Sequence, residues 1–266
     1  MAGRARLSPV GAPTRGTTNP NRLRRVDRWL ASDPAVTRLL RRAAVPLVVD
    51  LGYGASPVTT IELLRWLRRV RGDVRVLGLE IDPERVAVAR RAADPPWLDF
   101  RRGGFELAGA RPVVVRAFNV LRQYAESEVA GAWKVVLDAM PDDGLIVEGT
   151  CDEIGRLASW VVVGADGPVS LTVSMRLAEL ERPSIVAERL PKVLIHRNVP
   201  GEPVHAFLSA LDECWAAAAP HRSFGVRARW VSAVGMLQAR GWPLLGRPER
   251  WRLGELTVPW DSVAPL

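Results

Sequence analysis

Apolar and polar positions along this chain follow two alternating periods, and the switches between them predict its elements. An apolar run from Pro46 to Val49 ends at Asp50 and leads into Leu51-Gly52-Tyr53-Gly54-Ala55-Ser56-Pro57. A short continuous apolar run bounded by glycines predicts a buried strand over 46–50. Glycines 52 and 54 let the backbone take positive φ in the turn. Ser56 suits a helix N-cap and Pro57 the first helical position, which predicts a helix over 57–71. The pattern then repeats. A strand over 74–80 ends in Glu80, a helix covers 83–93, and a short strand lies near 98–102. Val113 to Phe118 predicts a fourth strand, about 126 to 139 a helix, and Asp142-Asp143-Gly144 a turn into a fifth strand, Leu145 to Glu148. Strands alternating with helices imply a parallel sheet joined by right-handed crossovers. Trp160–Gly164 and Val169–Val173, on either side of Ala165-Asp166-Gly167-Pro168, predict an antiparallel hairpin that reverses a strand at the sheet edge.

The two ends depart from this plan. Residues 1–18 mix Gly, Pro, Thr and Arg and read as a flexible tail. Leu23, Val26, Trp29 and Leu30 fall at helical spacing, and Asp33-Pro34 starts a second helix that runs to about Ala43. Beyond about 183, Leu190–Val199 reads as a loop or short strand. Val204, Phe207, Leu208, Leu211 and Trp215 mark one amphipathic helix, and Val226, Trp230, Val234 and Leu237 another that Gly241 ends. Trp230, Trp242, Trp251 and Trp260 read as packing anchors. The expected organisation is a basic N-terminal arm with helices (1–44), a central α/β domain (45–180) and a C-terminal extension packed on that domain (181–266).

Charge changes the picture only at the N-terminus. The net charge is +8, and residues 1–44 hold ten arginines against Asp27 and Asp33, so the arm carries the whole excess. Lys134 and Lys192 are the only lysines, a bias that more often reflects a GC-rich genome than phosphate binding. Cys151 and Cys214 have no metal-ligand spacing and predict no disulfide framework. Neither a spanning apolar run nor a signal-peptide core follows the polar N-terminus, so a cytoplasmic protein without membrane insertion is expected.

Strand, glycine turn, helix, strand and acid form the mononucleotide-binding half of a Rossmann-type sheet. Pro57 stands where a dinucleotide fingerprint needs its third glycine, which counts against NAD. The stretch Asp50-Leu51-Gly52-Tyr53-Gly54 instead resembles the acid-x-Gly-x-Gly motif of class I S-adenosylmethionine (SAM)-dependent methyltransferases. Leu77-Gly78-Leu79-Glu80-Ile81-Asp82-Pro83 is similar to the family's second motif, and the resemblance covers roughly residues 45–150. It implies a doubly wound, mostly parallel seven-stranded α/β sheet with an antiparallel edge strand, N-terminal helices and a helical C-terminal extension.

The resemblance also implies SAM as cofactor. Asp50, Gly52 and Gly54 would line its methionine end, Glu80, at a solvent-open strand end, would hold the ribose diol, and Ile81 would flank adenine. The third motif reads Gly103-Gly104-Phe105-Glu106, without an acid directly after the first glycine, so adenine falls to the backbone or ring of Phe105. Asn119, after the fourth strand, would contact the cofactor and face the transferred methyl, with Tyr124 as a second positioning residue. Glu148, His196 and Arg197 are candidate substrate groups. The absence of Asn-Pro-Pro-Tyr after the fourth strand and the neutral body favour a small or lipid-like acceptor. Nucleic acid held by the basic arm is the alternative, as is a non-catalytic SAM- or nucleotide-binding protein.

Overall fold

The structure, a computed structural model, describes residues 8–13 and 18–266; the remainder of the expected N-terminal tail lies outside the described residues. Two short helices, α1 (Arg24–Leu30) and α2 (Pro34–Arg42), precede the sheet. The Asp33 carboxylate caps α2 by accepting from the N–H groups of Ala35 and Val36, as the Asp-Pro pair predicts. The strands β1 (Leu47–Leu51), β2 (Arg75–Glu80), β3 (Leu98–Arg102), β4 (Val114–Phe118) and β5 (Leu145–Cys151) are all parallel. Between them run α3 (Val58–Leu67), α4 (Pro83–Ala89) and α5 (Glu126–Asp138). Then come β6 (Leu157–Gly164) and β7 (Gly167–Met175), the expected hairpin, with strands longer than the apolar runs alone marked.

The C-terminal region adds α6 (Lys192–Ile195), α7 (Pro203–Ala217), α8 (Val226–Ala239), α9 (Pro248–Trp251) and a last strand, β8 (Glu255–Pro259). The sheet order is β3-β2-β1-β4-β5-β6-β7-β8, with antiparallel pairing from β5 onward. The mostly parallel, doubly wound plan therefore holds, with eight strands rather than seven and an antiparallel edge three strands wide. Leu190–Val199 forms the one-turn α6 and turns rather than a strand, and Pro191, at the N-cap of α6, has no N–H to give to a sheet ladder.

Two apolar layers cover the sheet. On one face α1, α2 and α3 bury Trp29, Leu40, Leu63 and Leu67 against Val48, Val76 and Trp160. On the other, α5, α7 and α8 bury Trp133, Phe207, Leu211, Trp230 and Val234 against Val115, Val161 and Leu171. Trp230 and Trp251 act as the expected anchors. Among the described residues no helix is long and apolar enough to cross a membrane.

One polar group crosses the first apolar layer. Arg116, in the middle of β4, is fully buried, and its Nε and Nη2 donate to Asp50 Oδ1 (3.0 Å) and Oδ2 (2.7 Å). Its other arm donates to Asp27 of α1, and Thr60 Oγ1 donates to Asp50 Oδ2 at 2.7 Å. Asp50 and Arg116 are register partners on adjacent strands, which is why the pair can close. Burial pushes the Asp27 carboxyl above its usual range while Arg116 pulls it back; the two carboxylates hold Arg116 above its own ordinary value. The triad pins α1 to the centre of the sheet.

Candidate active site

The carboxyl ends of β1, β2 and β3 converge on one depression, as the topology of an open α/β sheet requires. After β1 the chain turns through Gly52 (φ 68°) and Gly54 (φ 82°), both in the region that favours glycine. The Gly52 N–H donates across to Leu79 O at 2.8 Å, and the Gly54 N–H to Glu80 Oε2 at 3.0 Å. Glu80 Oε1 accepts from the Ile81 N–H at 2.9 Å, and Arg85 lies 3.6 Å from Oε2. Glu80 is therefore held in the middle of the depression by backbone donors. It is only 1% exposed, which corrects the expectation of a solvent-open strand end.

The third wall follows β3. Gly103, Gly104 and Phe105 line the depression there, and the Gly104 N–H donates to Glu106 Oε1 at 2.9 Å, which holds that carboxylate beside the wall. Glu106 is the first acid after Gly103, and Leu107 and Ala108, which follow it, both lie at positive φ.

A segment from the arm covers this wall. Val10 N–H donates to Glu106 Oε2 at 2.7 Å, and Val10 O accepts from the Phe105 N–H at 2.9 Å. Ala12 N–H donates to Tyr124 Oη at 2.6 Å, while Gln123 Nε2 donates to Ala12 O and Pro13 O, each at 3.2 Å. The approach is close enough that a Cβ on Gly104 would sit 2.0 Å from Val10 O. Gly11 lies at φ 123°, and a Cβ on it would meet Tyr124 Oη at 2.9 Å, Phe105 at 3.2 Å and Ile81 at 3.3 Å. With this strap in place, the cavity among Leu51, Glu80, Ile81, Phe105 and Val120 is only about 10 Å³.

The other expected site residues take diverse positions. Asp50 lies below the turn with its carboxylate engaged by Arg116 and Thr60, so its side chain serves the layer beneath. Asn119 follows β4 at φ 59°, a conformation asparagine tolerates better than most residues. Its Oδ1 accepts from the Cys151 N–H at 3.0 Å and its Nδ2 lies 3.3 Å from Cys151 Sγ, which ties the ends of β4 and β5 together. Tyr124 packs on Phe105 with ring centroids 5.5 Å apart. His196 is exposed beside Lys192, 3.2 Å away, and Arg197 pairs with Glu126 (2.8 Å) and Glu202 (3.3 Å).

Glu148, in β5, is fully buried, and neither carboxyl oxygen has a hydrogen-bond partner. Burial alone pushes its pKa from the ordinary 4.5 up to about 8. A carboxyl whose folded pKa is raised binds its proton more tightly in the folded state. Stability should therefore fall as pH rises from about 4.5 to about 8. The slope attributable to this group is at most about 1.4 kcal/mol per pH unit. Glu148→Gln should remove that part of the dependence. Urea midpoints at pH 5 and pH 8 check it, and an identical pH response in both proteins would show Glu148 ionised in the fold. No group of three or more His, Cys, Asp or Glu among the described residues could hold a metal ion.

No family model matches this chain, and no curated protein matches it. Among solved structures it is similar to human N-acetylserotonin methyltransferase in complex with SAM: 20% identity, TM-score 0.36, 48% of this chain and 33% of that one. It is similar also to a cyclopropane synthase from Mycobacterium tuberculosis (17% identity, TM-score 0.36, 52% and 48% covered). A third is LepI in complex with SAM (17%, TM-score 0.37, 46% and 31% covered). The chain thus matches a third to a half of the length of these proteins. Two of these three structures hold SAM.

Proposed function

We propose that this protein is a SAM-dependent methyltransferase whose cofactor site is the depression above β1, β2 and β3. One observation carries the reading. At the end of β3 the Phe105 N–H and the Glu106 carboxylate form a donor and an acceptor side by side, at present satisfied by the Val10 peptide group. The edge of adenine offers the matching pair, an amino donor next to a ring-nitrogen acceptor. Gly104, where a side chain would close the space, leaves room for a flat group to approach. These residues fit the adenosine end of SAM. Glu80 then takes the ribose hydroxyls, Ile81 flanks the base, and Asp50, Gly52 and Gly54 shape the turn at the methionine end.

Bound SAM supplies an electrophilic methyl group on a sulfonium that is already a good leaving group. The chain's task is then to position an acceptor in line with that methyl and to exclude water. Asn119, directly after β4, and Tyr124, which packs on Phe105, are the residues proposed for that positioning. Glu148, fully buried in β5, is not among the residues that line the depression. A base is needed only for an acceptor that must lose a proton.

Under this reading the strap and the cofactor compete for the same donors and acceptors. The apparent affinity is then reduced by the fraction of molecules in which the strap is docked. Gly11→Val, which introduces a β-branched residue at positive φ against Tyr124 and Phe105, should undock the strap without altering Glu80, Phe105 or Glu106. It should tighten SAM binding about tenfold, corresponding to about 1.4 kcal/mol of docking energy and a couple of net hydrogen bonds. Calorimetric titration of both proteins is the check, and weaker SAM binding by Gly11→Val would mean that the strap supports the cofactor rather than displacing it.

A further inference from the structure

The charge of this chain is neutral outside the arm in total but not in its placement. Arg24, Arg25 and Arg28 of α1 meet Arg156 from the β5–β6 turn, Arg176 after β7, Arg227 of α8 and Arg252 before β8 around one groove of about 880 Å³. No Asp or Glu lines it. Arg28 pairs with Glu255 at 2.8 Å. Arg25 donates to neutral acceptors only, Gly155 O at 2.9 Å, Ser174 Oγ at 3.3 Å and Leu253 O at 3.3 Å. Burial first, then neighbouring Arg28 and Arg176, pushes Arg25 down to about 10, so it stays charged at neutral pH. Arg24, Arg156, Arg176, Arg227 and Arg252 are exposed and form no ion pair among the described residues. Two acids lie behind the lining and act on Arg25: Asp152, which accepts from the Arg156 N–H, and Glu255, which is shared between Arg28 and Arg250.

The groove is built into the fold. Its segments are packed through glycines that admit no side chain. A Cβ on Gly155 (φ 70°) would lie 2.3 Å from Arg22 O, and one on Gly254 (φ 76°) would lie 2.1 Å from Met175 O. Phe224, the residue before the groove-lining Gly225, is 81% exposed, the most exposed aromatic side chain described. A cationic groove with an exposed aromatic one residue along the chain from its lining has the two parts that single-stranded nucleic acid requires, charge along the phosphates and a platform for a base.

We propose that this groove binds single-stranded nucleic acid, with the arginines on the phosphodiester backbone and Phe224 stacked on a base. The ends of β5, β7 and β8 that form it lie on the same side of the sheet as the proposed cofactor site. With strands spaced about 4.8 Å apart, β1 and β7 are separated by roughly 19 Å, beyond one small anion and within reach of a few nucleotides. The proposal goes beyond the cofactor reading and stands independently of it.

The test is fluorescence anisotropy of a labelled mixed-sequence 12-nucleotide RNA with the full chain, over a salt series. Wild type should bind with affinity that falls steeply with salt. Alanine at Arg156, Arg176, Arg227 and Arg252 together should weaken binding more than tenfold at moderate salt. The slope of log K against log salt should drop by about 0.7 for each phosphate that is no longer neutralised. Phe224→Ala should weaken binding about fivefold or more, as loss of one stacked base does. Circular dichroism checks the fold, and SAM titration of the four-alanine variant, which alters nothing in the cofactor site, reports separately on the methyltransferase reading. No RNA binding by wild type would overturn the proposal. So would binding that survives the four alanines but disappears on deletion of residues 1–20, binding indifferent to Phe224→Ala, or displacement of the RNA by equimolar inorganic tripolyphosphate.

Discussion

Arg116→Met should destabilise the protein by about 3–5 kcal/mol, because it leaves Asp27 and Asp50 as uncompensated acids in a dry interior. Asp27 is 0% and Asp50 2% exposed, so water cannot replace the guanidinium. α1 loses its anchor to the sheet at the same time. Urea denaturation at pH 7 measures the effect. Because the loss comes from stranded charge, adding Asp27→Asn and Asp50→Asn to the variant should recover much of it. A single-variant loss below about 1 kcal/mol would mean that the triad relaxes onto water, contrary to its burial.

Glu80→Ala should weaken SAM binding by about 1.5–3 kcal/mol, the range for hydrogen bonds to a charged group. A solvent-open carboxylate would leave the apo protein's stability unchanged. The structure implies otherwise: Glu80 accepts from the Gly54 and Ile81 N–H groups, so alanine leaves buried donors unpaired and lowers apo stability by about 1–3 kcal/mol. Glu80→Gln keeps an acceptor for those N–H groups. It should restore most of the stability while still binding SAM less tightly than wild type. An unchanged dissociation constant in both variants would place the ribose elsewhere.

Most of the parallel half was legible because its strands are short runs punctuated by glycine turns or acids and α4 starts at the Asp82-Pro83 cap. By contrast, α3 starts at Val58 with Pro57 rather than the expected Ser56 at its N-cap, and the N-cap of α5, Ala125, makes no side-chain hydrogen bond. Glu255–Pro259 was not legible as a strand. It is five residues long, closed by a proline, and lies among tryptophans that dominate the local pattern. Arg116 stood in plain view inside an apolar strand. Its role depends on register with Asp50 and on α1 delivering Asp27 from 89 residues away, neither of which local spacing carries. Glu106 was not legible as a partner of the arm, because its contact with Val10 spans 96 residues. The strap was hidden because Val10–Pro13 has no periodicity, and its partners are backbone groups that any sequence presents. The charge balance along the chain likewise favoured a small acceptor from a neutral body. Four body arginines join three from the arm only after folding.

Every role proposed for Glu80, Phe105 and Glu106 rests on SAM occupying the depression above β1, β2 and β3. Calorimetric titration of SAM, its demethylated product and NAD into the same preparation of the intact protein is the decisive measurement. Saturable, micromolar binding of SAM and of the demethylated product is expected, with no binding of NAD. Clear NAD binding with no heat from either SAM or its product would contradict the assignment.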